Sequence, residues 1–111
     1  LYAAAGWVDL RARASEPAPA AFIAEYEAKY GHPATGFAML GYNAAETLVM
    51  ALEAAGRDLT QESFQAGMES LNYYSELLDA PIAYGPGDHQ GGDEVTISVV
   101  ENGLWKLLAR Q

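Results

Sequence analysis

The chain has 111 residues and a formal net charge of −9, from 6 basic and 15 acidic side chains. That balance excludes a nucleic-acid-binding surface, which needs a basic stripe to displace phosphate counterions, and it excludes polybasic anchoring on a membrane. No cysteine is present, so disulfides, thiolate metal sites and cysteine nucleophiles are excluded, and no apolar run nears the roughly 20 residues that span a bilayer.

Residues 1–10 are apolar with aromatics and read as a short strand or an extended entry segment, without clean alternation. The first residues lack a charged region followed by an apolar run, so no signal-peptide pattern is expected there. Residues 11–20 carry Pro17 and Pro19 among Ala and Arg and read as a loop. A helix is predicted from about Pro19 to Tyr30. Phe22, Tyr26 and Tyr30 stand at i, i+4 and i+8 and form one apolar stripe, read as core packing. Gly31 supplies a left-handed cap, and His32-Pro33 stops continuation.

The second helix is predicted from about Gly36 or Gly41 to Ala55. Tyr42, Ala45, Val49, Leu52 and Ala55 form its expected inner stripe, and Gly56 ends it. Thr60 is a good N-cap for a third helix, with Glu62 in its first turn. Phe64, Met68 and Leu71 form its expected inner face. Gly67 inside that helix costs roughly 1 kcal/mol relative to Ala.

Beyond Asn72 the composition changes. Tyr73 to Ser75 read as extended, and Pro81 to Tyr84 as a short edge strand. Residues 85–92 form a turn-rich loop. Val95 to Val100 read as a strand, Asn102-Gly103 as a hairpin turn, and Leu104 to Leu108 as the returning arm. Alanine supplies 21 residues, whereas Leu, Val, Ile and Phe together supply only 23. That share, about 21%, is close to the level below which charged chains become disordered. The expected core is therefore thin for a free-standing unit.

Several patterns resemble chemical sites and are weighed against plainer readings. Residues Asp88 to Glu94 offer three carboxylates and His89 to a hard cation. Their spacing misses the twelve-residue calcium loop, and Asp and Gly are ordinary turn chemistry. A small metal-assisted enzyme built on this loop is the reading from another functional class. His32 and His89 stand in separate loops with no local signature of a nucleophile. The glycines of residues 85–92 run into a strand without a nearby Lys, which excludes a phosphate-cradling loop.

A family resemblance emerges from the order of the motifs. The run Phe22-Ile-Ala-Glu-Tyr26-Glu-Ala-Lys-Tyr30-Gly31-His-Pro33 fits F-x-x-x-Y-x-x-x-[YF]-G-x-x-P. It is followed by Gly41-Tyr42-Asn43-Ala44, by Ala51-Leu52-x-x-Ala55-Gly56 and by Thr60-x-Glu62-x-Phe64. Asp88-His89-Gln90-Gly91 and the hairpin Val99-Val100-Glu-Asn-Gly103-Leu-Trp105 complete it. This succession resembles the C-terminal third of solute-binding proteins of branched-chain amino-acid-type ABC transporters. Asn43 departs from the family, which commonly has Asp there; the expected effect is on a local hydrogen bond at a helix start.

The resemblance implies an α/β type I periplasmic binding protein fold, incomplete here, with about three helices and then a C-terminal β-hairpin. It implies residues 1–94 as the second half of a first lobe and residues 95–111 as the terminal hairpin of a second. It implies a non-catalytic importer component in the periplasm, or lipid-anchored outside the cytoplasm. The solute would be a small amino acid or a related carboxylate or amide, held between the lobes without a cofactor or metal. The implied partners are a membrane permease and, for this piece alone, a companion fragment or a second copy. A ligand-sensing domain of a regulator or receptor with the same fold is the alternative. Phe37 matches the position of an aromatic pocket wall, with a core residue at a helix start as its plainer reading. Tyr42 is a weaker ligand-binding candidate, expected to be structural.

Overall fold

The computed structural model describes residues 1–111 as three helices and five short strands. In chain order these are β1 (Tyr2–Ala5), a 3₁₀ turn (Arg11–Arg13), α1 (Pro17–Tyr30), α2 (Gly36–Ala55), α3 (Gln61–Glu69), β2 (Asn72–Ser75), β3 (Ala80–Ala83), β4 (Thr96–Glu101) and β5 (Leu104–Arg110). The strands form two antiparallel sheets, one ordered β1-β4-β5 and the other a β2-β3 pair.

The expected loop over residues 11–20 is partly helical. Pro17 opens α1, because a first-turn proline gives up only an N–H that would have no helical partner. The 3₁₀ turn before it presents Arg13, which is buried. Its Nη1 donates to the Leu77 carbonyl at 3.0 Å, its Nη2 to the Glu76 carbonyl at 2.8 Å and its Nε to Glu16 at 2.9 Å. One guanidinium thus pins the chain entry to the β2–β3 connection.

The inner face of α2 differs from the expected one. The buried positions are Met39, Asn43, Thr47 and Ala51, four residues apart. Tyr42, Val49 and Leu52 are 52%, 52% and 38% exposed, and Leu48 beside them is 48% exposed. Two of the buried residues are polar, and both are satisfied. Ser75 Oγ donates to Asn43 Oδ1 at 2.7 Å, and the Thr47 hydroxyl meets the Tyr73 hydroxyl at 2.7 Å. Asn43 therefore sits within a helix and bonds across to β2, which corrects its expected role at a helix start.

Thr60 caps α3 as expected, and Ser63 rather than Glu62 returns the bond, completing a capping box. Gly67 has a tertiary reason. A Cβ there would lie 2.6 Å from the Ala51 carbonyl oxygen and 3.0 Å from the Ala55 nitrogen. The missing side chain is what lets α3 approach α2. Phe64 and Met68 are half-buried and Leu71 is buried, as the inner face requires.

The main core cluster joins Leu10, Ala34, Met39, Leu77, Leu78, Ala80 and Ile82, with Phe22 and Tyr26 packed against it. Tyr30 ends the aromatic row 54% exposed, so the stripe on α1 is core at one end only. Only 18 of 111 residues are buried, which bears out the thin core. The hairpin turn has the predicted geometry, with Asn102 and Gly103 at φ 53° and 79°, as a two-residue type I′ connection requires. The hairpin is joined by β1, through Tyr2 opposite Val99 and Ala5 opposite Thr96. The buried Thr96 hydroxyl closes this junction on the carbonyls of Ala5 and Trp7, both at 2.9 Å.

Candidate functional site

The start of α2 is fixed from three sides. Ala34 is buried, and its N–H reaches Glu27 Oε1 at 3.3 Å. The same Glu27 oxygen takes the Arg11 guanidinium at 2.6 Å. That hydrogen bond, then the one from Ala34, holds the Glu27 carboxyl below its ordinary pKa. Thr35 caps the helix, its Oγ1 accepting from Ala38 N at 3.2 Å. Phe37 lies in the first turn of this anchored helix and is 85% exposed. Within this chain the ring takes no part in the core. A large apolar ring on a rigid helix start is a surface that can cover a solute.

Tyr42 lies five residues further on, about 140° around the helix from Phe37. The two rings therefore face different surroundings. Tyr42 packs edge-on against Phe22, with centroids 5.3 Å apart. It lines an open groove of about 520 Å³ with Phe22, Tyr73, Tyr74, Glu25 and Glu46. Phe22, Tyr26, Tyr30 and His32 continue the aromatic row, at centroid distances of 5.7, 4.7 and 6.2 Å for successive pairs.

The loop over residues 85–94 opens with a tight turn at residues 85–88. Gly85 and Asp88 exchange backbone hydrogen bonds at 2.9 Å. Asp88 Oδ1 accepts from Gln90 N at 3.1 Å. His89 turns away to Glu69 Oε1, at 3.0 Å. Hydrogen bonds from Gln65 and then His89 hold the Glu69 carboxyl below its ordinary pKa. The loop's carboxylates do not converge with its imidazole, and no group of three His, Cys, Asp or Glu side chains is placed to hold a metal ion. No helix is long and apolar enough to cross a membrane.

A further cluster went unnoticed in sequence. Asp79, in the turn before β3, takes the left-handed backbone at φ 57°. Arg110, at the end of β5, donates to the Asp79 carbonyl at 2.6 Å and pairs with its carboxylate. The Tyr74 hydroxyl donates to the other carboxylate oxygen. Burial alone would raise the Asp79 pKa, but the Tyr74 hydrogen bond and the charges of Arg13 and Arg110 outweigh it and lower it. The same bond to Asp79, followed by burial, raises the Tyr74 pKa. Its partners lie 5 and 31 residues from Asp79, and no local spacing signals them.

A profile of a family described as periplasmic binding protein matches residues 1–103. Among solved structures the chain is similar to a solute-binding protein of an ABC transporter from R. palustris, determined in complex with benzoate. The similarity has a TM-score of 0.71 at 20% identity and covers 99% of this chain and 29% of that one. The chain thus spans less than a third of that protein's length. No curated protein matches the chain.

Proposed function

Because the chain belongs to the periplasmic binding protein family, we propose that it forms part of the solute-binding component of an ABC importer. The family match over residues 1–103 carries this reading. In it the protein works outside the cytoplasm, lipid-anchored or free in the periplasm, and passes its solute to a membrane permease. Capture needs only that solute stabilise a closed arrangement of two lobes; no bond is made or broken.

Within this reading residues from about 7 to 94 contribute to one lobe, and β1 together with the hairpin of residues 95–111 contributes to the other. β1 pairs with β4 and so travels with the hairpin, which puts the first crossing near Gly6. Phe37 is the solute-facing wall: it is exposed, aromatic and held by a capped helix. Tyr42, packed on Phe22, serves the shape of the helix pair instead. The solute is a small amino acid or a related carboxylate or amide. Aromatic carboxylates belong in the same panel, since the similar structure holds benzoate. The exposed Tyr42, Leu48, Val49 and Leu52 support further chain, a companion fragment or a second copy covering that face.

The test is calorimetric titration of the full-length protein with amino acids, their amides and benzoate. At least one should bind. Phe37→Ala should weaken that solute about tenfold to a hundredfold, the equivalent of losing about 1.5–3 kcal/mol of aromatic burial. Unchanged affinity in Phe37→Ala removes the residue from the site. A protein that binds none of the panel removes the solute class.

A further inference from the structure

The β1-β4-β5 sheet meets the helical body through few connections. Two stretches of chain cross between them, at residues 6–8 and 91–95. They run side by side: a Cβ on Gly6 would lie 3.9 Å from the Glu94 carbonyl oxygen. The ends of the hairpin close on the second crossing, where Val95 and Gln111 exchange backbone hydrogen bonds at 2.8 and 2.9 Å. Beyond the crossings, an open cleft of about 460 Å³ separates Ala12 and Arg13 from Trp105 and Leu107. Apart from the Thr96 hydroxyl, which bonds to the Trp7 carbonyl on the first crossing, Arg110 is the one residue among 96–111 whose side chain hydrogen-bonds beyond the crossings, through Asp79.

We infer that the Arg110–Asp79 clasp is a latch beside the pivot, fixing the angle of the sheet to the helical body and opening when the two rotate. This rests on the two-lobe reading above. Three features suit Asp79 to the task. The clasp uses both its backbone carbonyl and its carboxylate, so two bonds must break together. Tyr74 holds the other carboxylate oxygen, which keeps the acceptor aimed when Arg110 leaves. Both partners are partly exposed, with side chains 31% and 25% accessible, so each is rehydrated on opening. A fully buried pair would lock the angle; one at the surface biases it modestly. Glu94, 3.8 Å from Arg110 on the crossing itself, is the alternative acceptor after opening.

The experiment uses the full-length protein with spin labels at Ala3→Cys on the sheet and Ala24→Cys on α1, both exposed. Arg110→Gln and Asp79→Asn remove the ion pair, and Asn tolerates the left-handed backbone at residue 79. Each should broaden the interlabel distance and change the ratio of populations about threefold to tenfold. The double variant should add little, since both substitutions break one contact. Thermal melts of the same variants separate loss of the latch from loss of folding. A wild type that moves on adding an amino-acid mixture or benzoate, with variants that match it, overturns the latch and leaves the two lobes standing. One narrow, probe-insensitive distance in wild type and variants overturns both.

Discussion

The two faces of α2 invert the usual arrangement. Its buried face carries Met39, Asn43, Thr47 and Ala51, of which two are polar. Its outer face carries Tyr42, Leu48, Val49 and Leu52, each at least 38% exposed. A helix that spends its larger apolar side chains on solvent is shaped for a surface this chain does not supply. The polar pair inside has a different use. Asn43 and Thr47 can bond only to Ser75 and Tyr73 in one register, so they fix how α2 sits on β2. Apolar contact alone would tolerate sliding.

The comparison of faces breaks most sharply at Met39, which is fully buried. Met39→Ala should cost about 2–5 kcal/mol in urea unfolding. A loss below 1 kcal/mol would mean that the inner face is not the core. Next is Gly67→Ala, which drives a methyl group into the Ala51 carbonyl. About 1–3 kcal/mol should be lost, although Ala is the better helix former. A gain in stability would show that the close approach of α2 and α3 is not required.

On the outer face, Val49→Lys with Leu52→Lys should change folding stability by no more than about 0.5 kcal/mol per site. Light scattering should nevertheless respond, because the wild-type chain is expected to exceed its monomer mass of 11.9 kDa and the double variant to approach it. A wild-type chain that folds cooperatively as a stable monomer refutes the idea that this face needs cover.

The smallest effect concerns acid. The buried face of α2 holds no titratable group, so pH should act elsewhere, and Asp79 is the clearest place. Its pKa is lowered in the folded protein. Its stabilisation is therefore complete above the ordinary carboxylate value, near 4, and is lost as pH falls through the lower folded value. Thermal melts from pH 6 downwards should separate wild type from Asp79→Asn progressively less as the pH falls below the ordinary carboxylate value. A constant difference across that range would show that the Asp79 charge contributes nothing.

Local chemistry explains which parts were legible. Gly31, the Thr60 cap and Asn102-Gly103 act through bonds within a few residues, and each is where the pattern put it. Helix existence followed from the same kind of signal. The stripe on α2 misled because periodicity identifies an apolar face but cannot say which surface it meets. Gly67 looked like a defect because its reason, the Ala51 backbone, belongs to another helix. Phe37 was placed by resemblance, and only the structure separates its exposed position from that of a core residue.

By itself the sequence determined the three helices and the terminal hairpin in their order, the main caps and turns, and the thinness of the core. These depend on neighbours in the chain and on composition. Tertiary structure alone decided the face that α2 buries, the place of β1 beside β4, the anchoring by Arg13 and the clasp of Arg110 on Asp79. Each of these joins groups distant in sequence, and their free energy exists only after the chain has brought them together.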